Sequence, residues 1–576
     1  MMVLIPRLIN VSRSSLKCCH GQKSRQLHLA TVVCAGQPQP VHKSNFKELD
    51  GMIDPFRPAV VRTNRHNSNA EKEVKETLIR IRKGGSKRAH ERHTMVNNKL
   101  FARDRMKLLL DPGTEEDFLE IAPFAGLGMD YGDIPASGIV SIIGRVHNKW
   151  CIVGCNDATI KGGTSYPITV QKQMRVQDIS YKNCLPVLYG VDSGGAFLPL
   201  QAEIFPDSRH GGRAFYNEAI LSSLGIPQMA VVCGSCTAGG AYIPAMAEEA
   251  VIIDKSGTIF LGGPPLVFAA TGERVTSEDL GGATVHCKIS GVTDYFAATE
   301  EEAWQYGRDI VSTLNVNPPE DPTEWDEPLY NQEELRMLAP TPYDESFYSM
   351  KKILARLVDG SRMHEFKALF GPSLITGYAY IKGHLVGIIA NDGTITADAA
   401  LKGAHFISIC QQRDIPLIFL QNVTSEEEFA SPEEAGETLK ARAKMMMATA
   451  SSTVPKITVI VGSSFGASNY VMCGRSMEPN FLFSWPLAQI GLMTPRQAAQ
   501  TMKQISDESV SEETLMSAFQ DKCKAFYASG NLWDDGIILP QETRRVLAQC
   551  LSIASQKKYW YSEETAKGQK FGVFRM

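Results

Sequence analysis

The stretch that decides the fold is VCGSCTAGGAY, residues 232–242, in which an apolar run ends in a cluster of small residues. The run itself, residues 228–233, is short and apolar, as expected of a buried strand. Glycine and alanine directly after a buried strand mark a place where the backbone comes close to another group, often a ligand. The segment therefore predicts a strand whose exit lines a binding site.

The same pattern returns in the second half of the chain as IVGSSFGASNY, residues 460–470, at an offset of 228 positions. Two further pairs occur in the same order, at offsets of 235 and 230: residues 155–160 match 390–395, and residues 185–189 match 415–419. One such match carries little weight. Three collinear matches at nearly constant spacing indicate a duplicated domain.

Each copy consists of apolar strand-like runs that alternate with helical-looking segments. In the first copy, the run at residues 186–191 follows a segment with Gln and Lys at helical spacing and precedes the strand described above. Alternation of this kind implies parallel strands joined by right-handed crossovers. The predicted fold class is therefore α/β, with two homologous domains and a small-residue strand exit repeated in each.

A proline-rich segment separates the two copies. Residues 315–345 contain six prolines with acidic residues between them. Because proline fixes φ and removes a backbone donor, this composition predicts an extended, solvated linker. We expect an N-terminal domain at residues 60–317, a Pro-rich acidic linker at 318–345 and a C-terminal domain at 346–570.

The first 47 residues contain no Asp or Glu and carry seven Lys or Arg, with several serines among them. That composition is typical of an organellar transit peptide. We interpret residues 1–47 as a mitochondrial transit peptide and expect the protein in the mitochondrial matrix. Import into a chloroplast and a disordered tail without acidic residues are the alternatives.

The composition of the whole chain excludes several classes of protein. With 576 residues, 43% of them hydrophobic and 21% charged, the chain can bury a large core in two to four domains. A net charge of −4 argues against a dedicated nucleic-acid binder. The sequence has no window of eighteen apolar residues without a charge, so a membrane span is not predicted. Thirteen cysteines in 576 residues, with no tight disulfide-like spacing, suit a reducing compartment.

The small-residue clusters suggest a specific chemistry. Residues 192–196 (DSGGA) follow the first strand, and consecutive glycines leave backbone N–H groups accessible to a pocket. Two such amides can hold a developing oxyanion, and losing one donor costs about 3 kcal/mol in a transition state. A tight turn is the alternative. The second cluster, at residues 234–242, is placed to form the neighbouring wall and favours the oxyanion interpretation.

Other chemistries have less support in the sequence. Cys233 and Cys236 have C-x-x-C spacing without a second pair at zinc-finger distance, so buried small residues are the better interpretation. The sequence contains no GxxxxGK[ST] phosphate loop. His210 and His286 lie in polar contexts, and we interpret both as structural residues.

Longer motifs identify a family by resemblance. The first half resembles the carboxyltransferase (β) subunits of biotin-dependent acyl-CoA carboxylases in VDSGGAFLP (191–199), GSCTAGGAY (234–242), GPPLV (263–267) and EDLGGA (278–283). The second half is similar to the 3-methylcrotonyl-CoA carboxylase branch of that family in VDGSR (358–362), WDDGII (533–538) and FGVFRM (571–576). The resemblance covers nearly everything from about residue 60 to the end.

That resemblance implies two crotonase-like domains of the ClpP/crotonase superfamily, with active sites formed between the N-terminal domain of one protomer and the C-terminal domain of another. It implies that a partner biotin-carboxylase (α) subunit carries the biotin and uses ATP and bicarbonate. The sequence has no AMKM biotin-attachment motif of its own. The implied reaction transfers a carboxyl group from carboxybiotin to 3-methylcrotonyl-CoA, giving 3-methylglutaconyl-CoA in leucine degradation. The implied assembly is a β hexamer, commonly α6β6.

The resemblance also assigns site residues. The amides of Gly194 and Gly195 are expected to hold the thioester oxygen of acyl-CoA, and those of Ala467 and Ser468 the ureido oxygen of biotin. Both oxygens develop negative charge, so preorganised donors can stabilise the reaction without a side-chain base. Further positions expected to bind acyl-CoA or biotin are Gly234, Gly239, Gly240, Ala241, Gly360, Ser361, Arg362, Thr424, Ser425 and Gly466.

The sequence departs from the family pattern mainly on the biotin side. The family's NITGFMVG reads NVTSEEEF at residues 422–429, which places acidic residues where an anion is expected. The family's MGGEQAA reads MTPRQAA at residues 493–499, and on the acyl-CoA side the Phe of HFGR is Gly211. A catalytically impaired paralogue, which binds acyl-CoA or the carboxylase complex without turnover, is therefore the alternative to an active enzyme.

Overall fold

Two β-sheets of equal size carry the two halves of the chain. The computed structural model describes residues 44–114, 117–316, 318, 320–343, 349–424, 431–505, 511–560 and 572–574. Ser425, the acidic residues 426–428 and most of the expected transit peptide lie outside this part of the chain. Within it, sixteen strands are seen: β1 (Lys47–Glu48), β2 (Leu119–Glu120), β3 (Ile139–Val146), β4 (Lys149–Asn156), β5 (Val187–Ser193), β6 (Gln228–Thr237), β7 (Glu249–Ile253), β8 (Thr258–Phe260), β9 (Tyr295–Ala297), β10 (Arg362–Glu365), β11 (Leu374–Ile381), β12 (His384–Asn391), β13 (Leu417–Val423), β14 (Lys456–Phe465), β15 (Phe481–Ser484) and β16 (Gln489–Gly491).

Both sheets follow the same plan. The first has the order β2-β3-β4-β5-β6-β7-β9, and the second has the order β1-β10-β11-β12-β13-β14-β15. In each sheet an antiparallel hairpin, β3–β4 or β11–β12, leads into parallel strands. A short extra strand pairs with the far end of the central strand, β8 with β6 and β16 with β14. The α/β fold with two homologous domains is confirmed.

Helices connect the strands and cover the sheets. None of the helices in the described ranges is long and apolar enough to cross a membrane. Their bounds are as follows: α1 (Pro58–Arg82), α2 (Lys87–Glu91), α3 (Ala102–Leu109), α4 (Pro167–Asn183), α5 (Gln201–Ile204), α6 (Gly211–Ser223), α7 (Tyr242–Met246), α8 (Pro264–Thr271), α9 (Ser277–Gly281), α10 (Ala283–Val285), α11 (Glu300–Ser312), α12 (Leu335–Leu338), α13 (Met350–Leu354), α14 (Ala397–Gln412), α15 (Pro432–Ser451), α16 (Ser468–Val471), α17 (Pro495–Ile505), α18 (Glu512–Cys523), α19 (Ala525–Gly530), α20 (Thr543–Ser555) and α21 (Lys557–Trp560).

Local sequence explains where the main elements begin and what they bury. Every residue of β5 and of β13 is buried, as expected of central parallel strands covered on both faces. The Thr396 hydroxyl accepts the Ala399 N–H at the start of α14, and the Ser431 hydroxyl accepts the Glu434 N–H at the start of α15. Such caps satisfy backbone donors that have no partner inside the helix.

The two halves share a continuous core. β1, near the N-terminus, pairs with β10 in the second sheet, and α20, near the C-terminus, packs against α4 in the first half. Gln556 accepts the Trp150 N–H at 2.8 Å and donates to the Trp150 carbonyl at 2.9 Å. Arg175 makes two contacts to Asp535, at 2.8 and 2.7 Å. Since both partners are buried, breaking this ion pair would cost about 3–5 kcal/mol.

The segment between the halves is partly buried, although the sequence predicts a solvated linker. α12 packs on α1, and the side chains of Leu335 and Leu338 are buried there. Asn67 on α1 donates to the carbonyls of Arg336 and Ala339, at 3.1 and 2.9 Å. The reason is that two leucines three positions apart form one apolar turn among the prolines, and this turn covers α1. The domain boundaries themselves stay predictions.

Candidate functional site

Two segments form the floor of a cavity in the first half: residues 193–196 at the end of β5 (the β5 exit) and residues 238–241 after β6 (the β6 exit). The two strands pair regularly up to Val191 and Val232, after which Ser193 lies opposite Cys236. Over this interval β6 therefore contains two more residues than β5. Such a bulge bends the strand, here near its C-terminal end. A cavity of about 370 Å³ with mostly apolar walls opens beyond it. Its lining includes Ser193, Gly195, Ala196, Phe205, Phe215, Ala238, Gly239, Gly240 and Ile243.

The β5 exit is held in place by its own hydroxyl. The Ser193 Oγ donates to the Gly163 carbonyl at 3.0 Å and accepts the Gly195 N–H at 3.2 Å. Gly195 has a φ of 87°, which favours glycine at this position. The Gly195 amide thus has an internal partner at the long end of hydrogen-bond distances, and a substrate oxygen can compete for it.

The β6 exit contributes Gly239 and Gly240 to the lining of the same cavity, which includes Gly195 but not the predicted residue Gly194. Ala238 has a φ of 52° and starts the short 3₁₀ turn Ala238–Ala241, in which Gly239 and Gly240 follow. A Cβ on Gly240 would lie 3.6 Å from the Ser193 Cβ, so the two exits are in contact. The cavity therefore brings together the two small-residue clusters that the sequence singled out, with backbone amides at two places.

The β14 exit in the second half repeats that turn. Gly466 has a φ of 66°, its N–H donates to the Gly491 carbonyl at 3.2 Å, and Ala467 forms the N-cap of α16. Ser468 is the first residue of that helix and is buried. The repeat places Ala467 and Ser468 at the positions that Gly239 and Gly240 occupy in the first half. Gly239 and Gly240 in the first cavity are therefore the structural counterparts of Ala467 and Ser468, the pair predicted to bind biotin.

A buried ionic network lies behind the β5 exit. The Asp192 carboxylate contacts the Lys99 ammonium at 3.0 and 3.1 Å and the Arg105 guanidinium at 3.5 Å. Arg105 in turn makes two contacts to Glu300, at 2.7 and 3.1 Å. A Cβ on Gly234 would lie 2.0 Å from Asp192 Oδ1. The predicted site residue Gly234 therefore gives room to this carboxylate and is not part of the lining of the first cavity.

The second half has the same bulge with neutral groups. β13 and β14 pair up to Gln421 and Ile460, after which Val423 lies opposite Ser464. Asn422 takes the place of Asp192, and its Oδ1 accepts the Ser463 N–H at 2.8 Å. A cavity of about 580 Å³ opens here, with more polar walls than the first. Its lining includes Asn422, Thr424, Gly462, Ser463, Gln489, Thr494 and Arg496.

Some predicted residues lie elsewhere in the fold. Gly360 and Ser361 have φ values of 57° and 54°, and the Ser361 hydroxyl accepts the Leu329 N–H at 2.9 Å. Arg362 begins β10 and forms an ion pair with Asp326. These three residues are not in the lining of either cavity, and in the described chain they hold the segment around residues 326–329. Ala241 is buried beneath the β6 exit, and Ser425 lies outside the described residues.

The cysteines and histidines that the sequence analysis discussed have structural roles in the described part of the chain. Burial raises the pKa of the Cys233 and Cys236 thiols well above the usual value, so both remain protonated at neutral pH. The His286 ring nitrogens lie 2.8 Å from the Ile259 carbonyl and 2.8 Å from the Ser290 hydroxyl. His210 accepts the Asp207 N–H at 3.2 Å. Both histidines are held by local contacts in the described structure.

Sequence reasoning missed two groups of site residues. Phe205 and Phe215, which line the first cavity, fall in segments that resemble the family (residues 205–207 and 215–217), but the sequence assigns them no role in a site. Asn156 and Asn391 each accept the backbone N–H of the next strand's exit residue, at 3.3 Å from Asp192 and 2.8 Å from Asn422. The signal for these two asparagines was present, because both belong to the first repeated motif.

Comparison with known proteins places the chain in a family. The carboxyl transferase domain model matches residues 93–569. The methylcrotonoyl-CoA carboxylase β chain of Dictyostelium discoideum is 47% identical over 92% of this chain and 92% of its own length. The Arabidopsis thaliana β chain of the same name is 47% identical over 88% of each chain. The crystal structure of the Pseudomonas aeruginosa geranyl-CoA carboxylase β subunit superposes with a TM-score of 0.83, at 34% identity over 92% of this chain. The chain therefore belongs to the carboxyl transferase family, as a β subunit of the biotin-dependent acyl-CoA carboxylase type.

Proposed function

We propose that the chain is the carboxyltransferase subunit of a mitochondrial methylcrotonoyl-CoA carboxylase. It adds a carboxyl group to 3-methylcrotonyl-CoA and forms 3-methylglutaconyl-CoA. The observation that carries this proposal is the 44–47% identity, over 88–95% of the chain, to β chains that bear this name in three eukaryotes. Those three relatives are all described as mitochondrial, which agrees with the acid-free N-terminal segment.

The first cavity is the proposed site of the acyl group. Its walls are mostly apolar, and burying a branched hydrocarbon there is worth about 0.8 kcal/mol for each carbon. The thioester oxygen would face the Gly194 and Gly195 amides, as the sequence resemblance predicts. Gly239 and Gly240 line the same cavity and can supply a further donor. Negative charge that develops on this oxygen is then stabilised by fixed dipoles in a site with little water.

The second half is the proposed site of biotin. Bound biotin, carried by a partner α subunit, supplies the activated carboxyl group. The residues present fit such a group, because the left-handed turn at Gly466 is followed by the amides of Ala467 and Ser468, as in the first half. Thr424 lines the neighbouring cavity, and Ser425 follows it in sequence. These residues would orient the ureido oxygen and limit its access to water.

The proposed assembly contains a biotin-carboxylase (α) subunit, which consumes ATP and bicarbonate. A hexamer of this chain within an α6β6 complex is the stoichiometry that we propose. Sites between the first half of one protomer and the second half of another would bring the two cavities together. The impaired paralogue is not favoured, because identity to the named β chains extends over most of the chain.

Reconstitution tests the proposed function. The chain is co-expressed with a matched α subunit, and the purified complex is given ATP, ¹⁴C-bicarbonate and 3-methylcrotonyl-CoA. We expect acid-stable label in the acyl-CoA that depends on both subunits. Label that stays on the biotin of the α subunit, without transfer to any acyl-CoA, would contradict the proposal and favour the paralogue. The α subunit with a β chain from Arabidopsis thaliana serves as the positive control.

A further inference from the structure

Lys99 reaches the β5 exit from outside the duplicated part of the chain. It lies 93 positions before Asp192, ahead of the first repeated strands, and its ammonium contacts both carboxylate oxygens, at 3.0 and 3.1 Å. The two side chains are 12% and 6% exposed, so water screens this pair only weakly. The Coulomb attraction within the pair is therefore screened less than in a surface ion pair, and removal of one partner leaves a charge with little access to water.

The neighbours of this pair fix its position. Arg105 is fully buried and joins Asp192 to Glu300, while Glu300 also accepts the Leu100 N–H at 3.1 Å. Glu300 thus holds the backbone beside Lys99 as well as the guanidinium beside Asp192. Two cations and two carboxylates balance each other in the network. Removal of one member leaves an unpaired buried charge.

The Asp192 carboxylate connects the two strand exits that line the first cavity. It belongs to β5 and lies over the Cα of Gly234 in β6, where a Cβ would come within 2.3 Å of the Lys99 ammonium. Asp192 is followed directly by Ser193, Gly194 and Gly195, and Gly234 leads to Gly239 and Gly240. A shift of this carboxylate would therefore move both sets of amides relative to each other.

The charge of Asp192 also has a sign that opposes the proposed chemistry. It directly precedes Ser193, which lines the cavity where the thioester oxygen is proposed to gain negative charge. An uncompensated like charge near that oxygen would cost on the order of kilocalories per mole at protein dielectric values. In the second half the same position is the neutral Asn422, and no such compensation is needed there.

We propose that Lys99 is a positioning residue for carboxyl transfer. Its ammonium holds Asp192 so that the β5 and β6 exits keep their register, and it cancels the charge of Asp192 beside the developing oxyanion. This inference rests on the proposed function, because it requires negative charge to develop in the first cavity. Both effects act in the transition state, so they concern kcat more than binding of the acyl-CoA.

The test is a set of substitutions in the reconstituted α–β complex. We expect Lys99→Met to lower kcat at least tenfold while KM for 3-methylcrotonyl-CoA changes less than threefold. Lys99→Arg keeps the charge and should retain most of kcat. Lys182→Met is the matched control, because Lys182 is 15% exposed and paired with Asp178 at 2.9 Å, away from both cavities. It should leave kcat unchanged.

A double variant separates positioning from general stability. Lys99→Met with Asp192→Asn copies the neutral arrangement of the second half, and we expect kcat to return to within about threefold of the wild type. If Lys99→Met alone does not assemble, the kcat of the double variant still tests the proposed role of Lys99. Wild-type kcat in Lys99→Met, or a double variant as slow as the single one, would overturn the inference while the proposed function stands. An inactive wild-type complex would overturn both.

Discussion

The two halves of this molecule build the same bulge with different charges. In the first half, Asp192 stands over Gly234 and is held by Lys99. In the second half, Asn422 stands over Gly462, where a Cβ would lie 2.2 Å from its Oδ1, and is held by the Ser463 N–H. The backbone geometry therefore does not need the carboxylate. A charged residue at this place requires a cation from elsewhere in the chain, whereas a neutral amide is satisfied by the bulge itself.

The largest effect is expected when a carboxylate replaces the neutral amide at the bulge of the second half. Asn422→Asp would place a carboxylate at a buried position whose amide oxygen is now satisfied by a backbone donor. A buried charge without a partner costs several kilocalories per mole, and we expect a loss of about 3 kcal/mol in the free energy of unfolding. Urea unfolding at pH 7 measures it. A loss below about 1 kcal/mol would show that the second half tolerates the charge. The bulges at Asp192 and Asn422 would then not differ in their need for a cation.

The two glycines beneath these side chains give the next effect. In Gly234→Ala the new methyl group would lie 2.0 Å from Asp192 Oδ1 and 2.3 Å from the Lys99 ammonium, so the ion pair must move. Overpacking of this kind costs about 1–3 kcal/mol. Gly462→Ala meets the neutral Asn422 amide, with the Pro340 Cβ at 2.9 Å, and no charged group among its three nearest atoms, and it serves as the matched variant in the other half. We expect Gly234→Ala to lose more stability in urea unfolding, and equal losses would argue against a special role for the charged pair.

The smallest effect, counted for one pH unit, concerns a lysine that each half buries at the same repeat position. Burial lowers the pKa of Lys172 to about 7, and its ammonium nitrogen lies 3.1 and 3.0 Å from the carbonyls of Ala122 and Ala136. Between pH 7 and about 10, the unfolded chain keeps a proton here that the folded chain has lost, so stability rises with pH. Relative to Lys172→Met, the wild type should gain up to about 1.4 kcal/mol for each pH unit in this window.

Its counterpart provides the comparison for that measurement. Lys402 on α14 is buried too, and burial lowers its pKa in the same direction. We expect the difference between the wild type and Lys402→Met to rise with pH over a narrower range. Urea unfolding of the three proteins at intervals between pH 6 and 10 gives both slopes. A flat difference for Lys172→Met would mean that Lys172 stays protonated in the folded state.

Much of the fold was accessible from local patterns. The repeat from residues 155–160 to 390–395 and from 232–242 to 460–470 predicted two copies of one α/β unit, because strands and their exits are encoded by contiguous residues. The clusters around Gly194 and Gly239 were recognised for the same reason. The buried turn Leu335–Leu338 was not, because its burial depends on α1, more than 250 positions away in the chain.

The sequence alone determined the order of the strands and of their exits. It also determined which exit positions are glycine, since each of these features depends on neighbours within a few positions. The tertiary structure decided which distant groups complete those exits. Lys99 and Asp192 belong to no shared motif, and only folding places their charges 3.0 Å apart. Electrostatic balance in a buried site is a property of all the chain segments that meet there, and a linear pattern does not contain that information.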